Sequence, residues 1–462
     1  MRLLRGLPAS QRHRAIAVAC IAAAQLWLAS LWFLYWGHGI ARALIVLVVL
    51  IGLVLLRFAP IAPVPDTGSR KMPRAIIWGI GLAVLLDLAL MAVTDLHSWR
   101  TGHIPMDEGQ TTWRAARLLW RGDDPYGQGA LVDFVAFLHR APERARMGLA
   151  QNEPKATLKD RLVDYDRSLS PQAERKLLPL PPSPSMEQQR EVSITGYKYG
   201  PVILLVTSLF APLGRPAAVL WLNGIACFGL YATLWAILRR VGSRDTALVG
   251  IAMIALLLDR HITRDYINRS GTDVYSLLFG ALGVLAFLKN NPGLAGAGMA
   301  FSVGCKLFPG MGFVPILAAF RSPKPFVVFV CVLAALYVPW AIWDAHGLFY
   351  NVFGWSLLMG STPSSWQHWA GPHIVLAARA LLLVAIAAVW FDFLLRRGRL
   401  FWTLAVSNTL LLLAGATFSN NYVPWASIWI VVAIVEAFSP RPDEMASLQP
   451  ESAPSARSAD GY

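Results

Sequence analysis

Long apolar runs decide the class of this chain before any motif is read. Segments such as Ala15 to Trp36, Ile40 to Leu56 and Ile374 to Leu395 reach about 18 or more mostly apolar residues, the length that crosses a bilayer core as a helix. With 56% hydrophobic residues, 15% charged residues and a mean hydropathy of +0.49, the whole chain follows the same pattern, which excludes an ordinary soluble protein. The 18 Trp and 12 Tyr suit the aromatic belts of a membrane protein. The net charge of +14 is scattered between apolar runs rather than gathered in a stripe. Such charges belong to cytoplasmic loops and lipid headgroups, not to nucleic acid. Cys20, Cys227, Cys305 and Cys331 all lie in apolar stretches without a CxxC pair, so they read as buried apolar residues.

Taken in order, the chain predicts an all-α integral membrane protein with about eleven to thirteen membrane segments, counted by the length a span needs. Arg2, Arg5, Arg12 and Arg14 precede the first run, which is too long for a signal-peptide core, so the N-terminus is expected in the cytoplasm. Residues 1–74 then hold two spans and a basic cytoplasmic loop. A third span, Ala75 to Val93, leads outward to a long external loop, 95–197. In it, Thr111 to Trp120 reads as an amphipathic interfacial helix, Ala130 to His139 as a second helix, and Gln151 to Gln189 as irregular. The run Val202 to Phe210 is short and reads as re-entrant, which leaves Arg239, Arg240 and Arg244 cytoplasmic. Gly293 to Phe320 is either one tilted span or two helices meeting at Lys306. Residues 439–462 are expected to be a disordered cytoplasmic tail.

The stretch Met106 to Tyr126, MDEGQTTWRAARLLWRGDDPY, is the polar segment with the strongest claim to chemistry. Asp107 and Glu108 suit the N-terminal end of a helix. They equally suit a general base held at a membrane face. Asp123 and Asp124 read as turn residues. Tyr197, Lys198 and Tyr199 stand where the long loop meets the membrane, as interfacial anchors or as a grip on a lipid phosphate. Arg260, Arg264 and Arg269 fall in a charged segment, Asp259 to Asp273, expected outside the membrane, either as a solvated loop or as a phosphate site. Lys306, an ionisable residue inside an apolar segment, is a functional candidate, with snorkelling as the competing reading. His261, His346, His368 and His373 lack metal-ligand spacing, and no metal is assigned.

The order of these motifs resembles glycosyltransferase family 87, polytopic enzymes with the GT-C fold. An acid, then a helix with Ala115-Ala116, then Gly122-Asp123-Asp124-Pro125-Tyr126, is similar to their first external loop. Tyr197-Lys198-Tyr199-Gly200-Pro201 is similar to their Tyr-Pro-Pro re-entry motif, with Gly200 in place of the first proline. Lys306-Leu307-Phe308-Pro309 is similar to their Lys-x-x-Pro-like element. The resemblance covers about residues 75–438, a GT-C-like catalytic domain. The family's catalytic aspartate stands eighteen residues before the Pro-Tyr tyrosine; that count lands on Glu108, while residue type favours Asp107.

The resemblance implies a hexosyltransferase of the cytoplasmic or inner membrane. The donor is then a sugar, such as mannose, on a polyprenyl phosphate, and the acceptor a glycolipid or glycan on the external face. It implies an inverting displacement with a carboxylate base, and neither cofactor nor metal. Two other classes fit the residues. One is a transporter or flippase of a polyprenyl-linked substrate, the other a non-catalytic cell-envelope assembly protein.

Overall fold

The computed structural model describes residues 9–34, 38–58, 71–101, 107–126, 197–214, 217–242, 245–269, 271–354, 365–396, 399–415 and 420–439. The expected helix Ala130 to His139, the segment Gln151 to Gln189 and the tail after Ser439 lie outside the described residues. Among the described residues every regular element is helical.

The helices are α1 (Ala9–Ser30), α2 (Gly39–Phe58), α3 (Arg74–Thr101), α4 (Asp107–Trp120), α5 (Pro201–Ser208), α6 (Ala217–Val241) and α7 (Thr246–Leu257). A π-helical turn, Ile262–Asn268, separates these from α8 (Asp273–Leu288), α9 (Pro292–Cys305), α10 (Leu307–Met311) and α11 (Lys324–Leu348). The last are α12 (Pro372–Arg396), α13 (Leu400–Ala414) and α14 (Pro424–Ala437). Six are long and apolar enough to cross a membrane: α1 with its 3-10 extension to Leu34, α2, α3, α6, α11 and α12. A seventh is reached if α7 and the π turn, bent by 54°, count as one span; α8, α13 and α14 are shorter apolar helices. The chain is therefore all-helical in its described part, with the multi-pass character that composition requires.

The surface of the bundle is apolar where it would meet lipid. On α3, Trp78, Leu82 and Leu85 are exposed, and α12 exposes Leu376, Leu381 and Val384. The core lies instead among α6, α8, α9, α13 and α14, where Leu234, Leu277, Met299, Leu404 and Trp429 are buried. Close packing of α8 on α9 depends on glycine: a Cβ on Gly298 would sit 2.8 Å from the backbone of Gly283. Small residues facing each other let membrane helices approach at backbone distance. The start of α9 is set by Asn291, whose side chain accepts the Leu294 N–H at 3.1 Å, with Pro292 at the first helical position.

Two expectations change at this level. The third helix does not stop near Val93 but runs to Thr101, so the long loop begins later than Asp95. Nothing in Val93 to Thr101 breaks a helix, and the turn is amphipathic: Asp95 and Ser98 are buried while Leu96 and Trp99 are exposed. The segment Asp259 to Asp273 is not a solvated loop. Asp259, His261, Asp265, Thr272 and Asp273 are all buried, because the π turn tucks under α3 and α6. At Gly293 to Phe320 the alternative of two helices holds: α9 ends at Cys305, and Lys306 is extended (φ −142°, ψ 123°) before α10 begins.

Candidate functional site

The polar stretch beginning at Asp107 folds as α4, an N-terminally acidic helix whose inner face is buried. Trp113, Ala115, Ala116 and Leu118 pack inward, while Trp120 at its end and Arg121 just after it are exposed. The Trp120 indole donates to the Ser208 carbonyl of α5, tying the two short helices together. The chain then turns through Gly122 (φ +78°), and the Asp124 side chain accepts the Tyr126 N–H at 2.9 Å. Asp124 is thus the turn residue its sequence context suggests.

Tyr126 connects this turn to residues 197–200. Its hydroxyl donates to the Tyr199 carbonyl at 3.1 Å, and the Tyr197 N–H donates to the Pro125 carbonyl at 3.0 Å. The Tyr197 ring packs between those of Tyr126, tilted by 55°, and Tyr199, in a T-shaped contact. Gly200 then passes against the end of α9: its N–H donates to Cys305 O at 3.0 Å, and a Cβ there would lie 2.1 Å from Gly304 O. No side chain fits that gap, which accounts for a glycine at this place in the motif. The approach also brings Tyr199 beside Lys306.

At the junction Glu108, Lys306 and Asp273 meet. Lys306 Nζ lies 2.9 Å from Glu108 Oε1 and 2.9 Å from Asp273 Oδ1. Glu108 Oε2 accepts from the Thr272 N–H at 2.9 Å and from its hydroxyl at 3.0 Å. Asn421 Nδ2 donates to Glu108 Oε1 at 3.1 Å and to Asp273 Oδ2 at 2.6 Å. The rings of Tyr199 and Tyr422 flank the ammonium at 5.0 and 5.6 Å, a cation–π arrangement. All three charged groups are buried.

The centre therefore draws on five separate parts of the chain: the start of α4, Tyr199 just before α5, the start of α8, the break after α9, and the 3-10 turn Asn420–Tyr422. The extended backbone at Lys306 is what releases its side chain from the helical path into this space.

Glu108 stands outside the six long spans, and its environment is dominated by opposing effects. Burial pushes its carboxyl up, but the Lys306 charge and the hydrogen bonds from Lys306 and Thr272 outweigh it and hold the group below the usual carboxylate range. Burial also pushes the Tyr197 phenol well up. By charge count the centre has two carboxylates and one ammonium. Asp273 Oδ1 is met by the Lys306 ammonium, and Asn421 Oδ1 is a buried acceptor with no donor among the described residues. Buried acceptors in that condition favour a hydrogen-bond donor.

Of the residues expected to act, Glu108, Lys306 and Tyr199 come together, and Tyr197 supports them through a 3.5 Å contact between its hydroxyl and that of Thr112. Lys198 is half-buried. Asp107 is the first residue of α4, and its side chain lies outside the described residues. Arg260, Arg264 and Arg269 line a different cavity, whose walls include neither Glu108 nor Lys306. Thr272, Asp273 and Asn421 carry weight that motif reading did not assign them. The available signal was position: each sits at the edge of an apolar run, where an unneeded polar side chain would be costly. No group of three or more His, Cys, Asp or Glu side chains suited to a metal ion occurs among the described residues.

Compared with protein-family models, with curated proteins and with solved structures, the chain matches none.

Proposed function

We propose that the chain is a membrane glycosyltransferase that moves a hexose from a polyprenyl-phosphate donor to a hydroxyl of a glycolipid or glycan. The observation that carries this reading is the convergence of Glu108 and Lys306 at 2.9 Å, 198 residues apart in sequence. The two belong to the separate motifs on which the resemblance to family 87 rests. Tyr199, from the third motif, lies against the same ammonium.

In this reading the acceptor hydroxyl donates into the centre. Its proton passes to the carboxylate pair, which carries one negative charge more than Lys306 neutralises. Asp273 Oδ1 offers the lone pair, since it meets the Lys306 ammonium alone, whereas each oxygen of Glu108 already takes two donors. The hydroxyl oxygen attacks the anomeric carbon as the bond to the lipid phosphate breaks, a single displacement with inversion. Lys306 supplies the fixed cation for the phosphate's growing charge.

The test is transfer from a polyprenyl-phosphate-linked sugar in membranes carrying single variants. Asp273→Asn and Glu108→Gln are each expected to lower turnover by about 10²-fold or more, the scale of a lost acid–base group. Asp107→Asn is expected to stay within a few-fold of wild type. Loss of transfer in Asp107→Asn with activity kept in the other two would move the base to Asp107 and sink the assignment. A transporter reading draws on the helix broken at Lys306, a device of substrate sites in transporters. It predicts substrate flux across vesicles without any new glycosidic product.

A further inference from the structure

The arginines of the π turn form a second site. Arg260, Thr263, Arg264, Asn268 and Arg269 line a cavity of about 480 Å³ together with Asp87 of α3. Its remaining walls are Leu86, Leu257 and Leu258, and Leu86 and Leu258 are exposed on the outer surface. The opening therefore has guanidinium groups inside and an aliphatic rim of the kind that faces lipid.

Two of the guanidinium groups are held in place by aromatics. Arg264 Cζ stands 3.1 Å and Arg260 Cζ 4.9 Å from the centroid of the Trp32 ring, and Arg260 also lies 6.0 Å from that of Phe33. Phe33 is 77% exposed, as an aromatic at a membrane interface would be. Arg269 lies 3.9 Å from the buried Asp265. Asp87 is buried in mid-helix, and its Oδ1 accepts from the Thr263 hydroxyl at 3.1 Å. Three cations thus line a cavity with one carboxylate in its wall and a second beneath it. The excess is positive. Guanidinium groups are the side chains best matched to phosphate oxygens, because their planar fork offers paired donors.

We infer that this cavity binds the phosphate of an anionic membrane lipid, with the lipid's chains lying along the Leu86 and Leu258 rim. The site is separate from the Glu108–Lys306 centre and does not depend on the transferase reading.

Native mass spectrometry of the delipidated full chain in detergent tests it, with dioleoyl phosphatidic acid as probe, dioleoyl phosphatidylcholine as the zwitterionic control and inorganic phosphate as the tail-free control. Wild type is expected to bind phosphatidic acid at least ten-fold more tightly than phosphatidylcholine, and inorganic phosphate weakly. The triple variant Arg260→Gln, Arg264→Gln, Arg269→Gln is expected to lose that preference. Arg264→Lys keeps the charge but not the fork, and is expected to bind several-fold more weakly. Equal binding of the two lipids by wild type overturns the inference without recourse to any variant. An unchanged preference in the triple variant overturns it too. Inorganic phosphate bound as tightly as the lipid would make this a soluble-anion site and reject the lipid.

Discussion

The Glu108–Lys306 centre and the arginine cavity are both clusters of charge in an apolar bundle, yet they are built on opposite terms. In the centre every charged group is buried, the cation lies between two carboxylates and two aromatic rings, and the Asn421 amide bridges the carboxylates. In the cavity the cations outnumber the carboxylates, and the Arg269 side chain is 43% exposed. A buried ion pair is costly to form and far more costly to break, because removing one partner strands the other. A half-exposed cation keeps much of its hydration and contributes little to stability. In the first arrangement the charges are held in place by one another; in the second the cations exceed the carboxylates beside them. The contrast is open to test at each end.

The largest effect should come from Lys306→Met, which leaves Glu108 and Asp273 buried together without a counter-ion. A loss of about 3–5 kcal/mol is expected, the scale for removing one partner of a buried pair. Equilibrium denaturation in detergent micelles measures it. Adding Glu108→Gln to Lys306→Met should recover part of the loss, because one of the stranded charges is then gone. A double variant no more stable than Lys306→Met alone would mean that the pair is not coupled.

Gly200→Ala probes the backbone approach that brings Tyr199 to the ammonium. The new methyl would meet Gly304 O at 2.1 Å, so the segment at Gly200 and the end of α9 must separate. An overpacking cost of about 1–3 kcal/mol is expected, together with loss of transfer activity. Full stability in this variant would show that the segment at Gly200 is not held against α9.

How far the sequence foretold these two regions differs as well. Spans α2 and α12 follow from apolar length alone, and their ends fall within a few residues of the expected ones. Lys306 was legible because a lysine in an apolar run needs a reason. Its partners were not. Glu108 against Asp107 is a choice between neighbours that no local pattern makes, and that Glu108 meets Lys306 is a property of tertiary packing. Asn421 and Asp273 look like turn and loop residues, since nothing local says that α8 and the 3-10 turn at Asn420–Tyr422 point into the same space. The three arginines are close in sequence, and they line one cavity. In the fold, the π turn carries them under α3 beside Trp32, a placement that no periodicity encodes.

A smaller effect concerns pH. Glu108 is held below its unfolded value, so the unfolded chain binds the proton more readily than the folded one. Its contribution is then whole at neutral pH and is lost as pH falls below the ordinary glutamate value of about 4.3 and through the lower folded value. The stability difference between wild type and Glu108→Gln should therefore be constant from pH 8 to about pH 5 and shrink below that. A difference that instead shrinks on going from pH 5 to pH 8 would mean that the carboxyl is raised, and that Lys306 does not govern it.

The smallest expected effect is the one that completes the contrast. Arg269 is half-exposed and lies 3.9 Å from Asp265, so Arg269→Gln should change stability by no more than about 0–1 kcal/mol, the range of exposed ion pairs. Its sign is informative. If the pair with Asp265 dominates, the variant is slightly less stable. If repulsion among Arg260, Arg264 and Arg269 dominates, it is slightly more stable, and that gain should fade as salt screens the repulsion. A loss comparable to that of Lys306→Met would place Arg269 among the structural charges and remove the distinction between the two regions. A neutral or salt-sensitive result leaves the arginines as charges held in excess of what the fold requires.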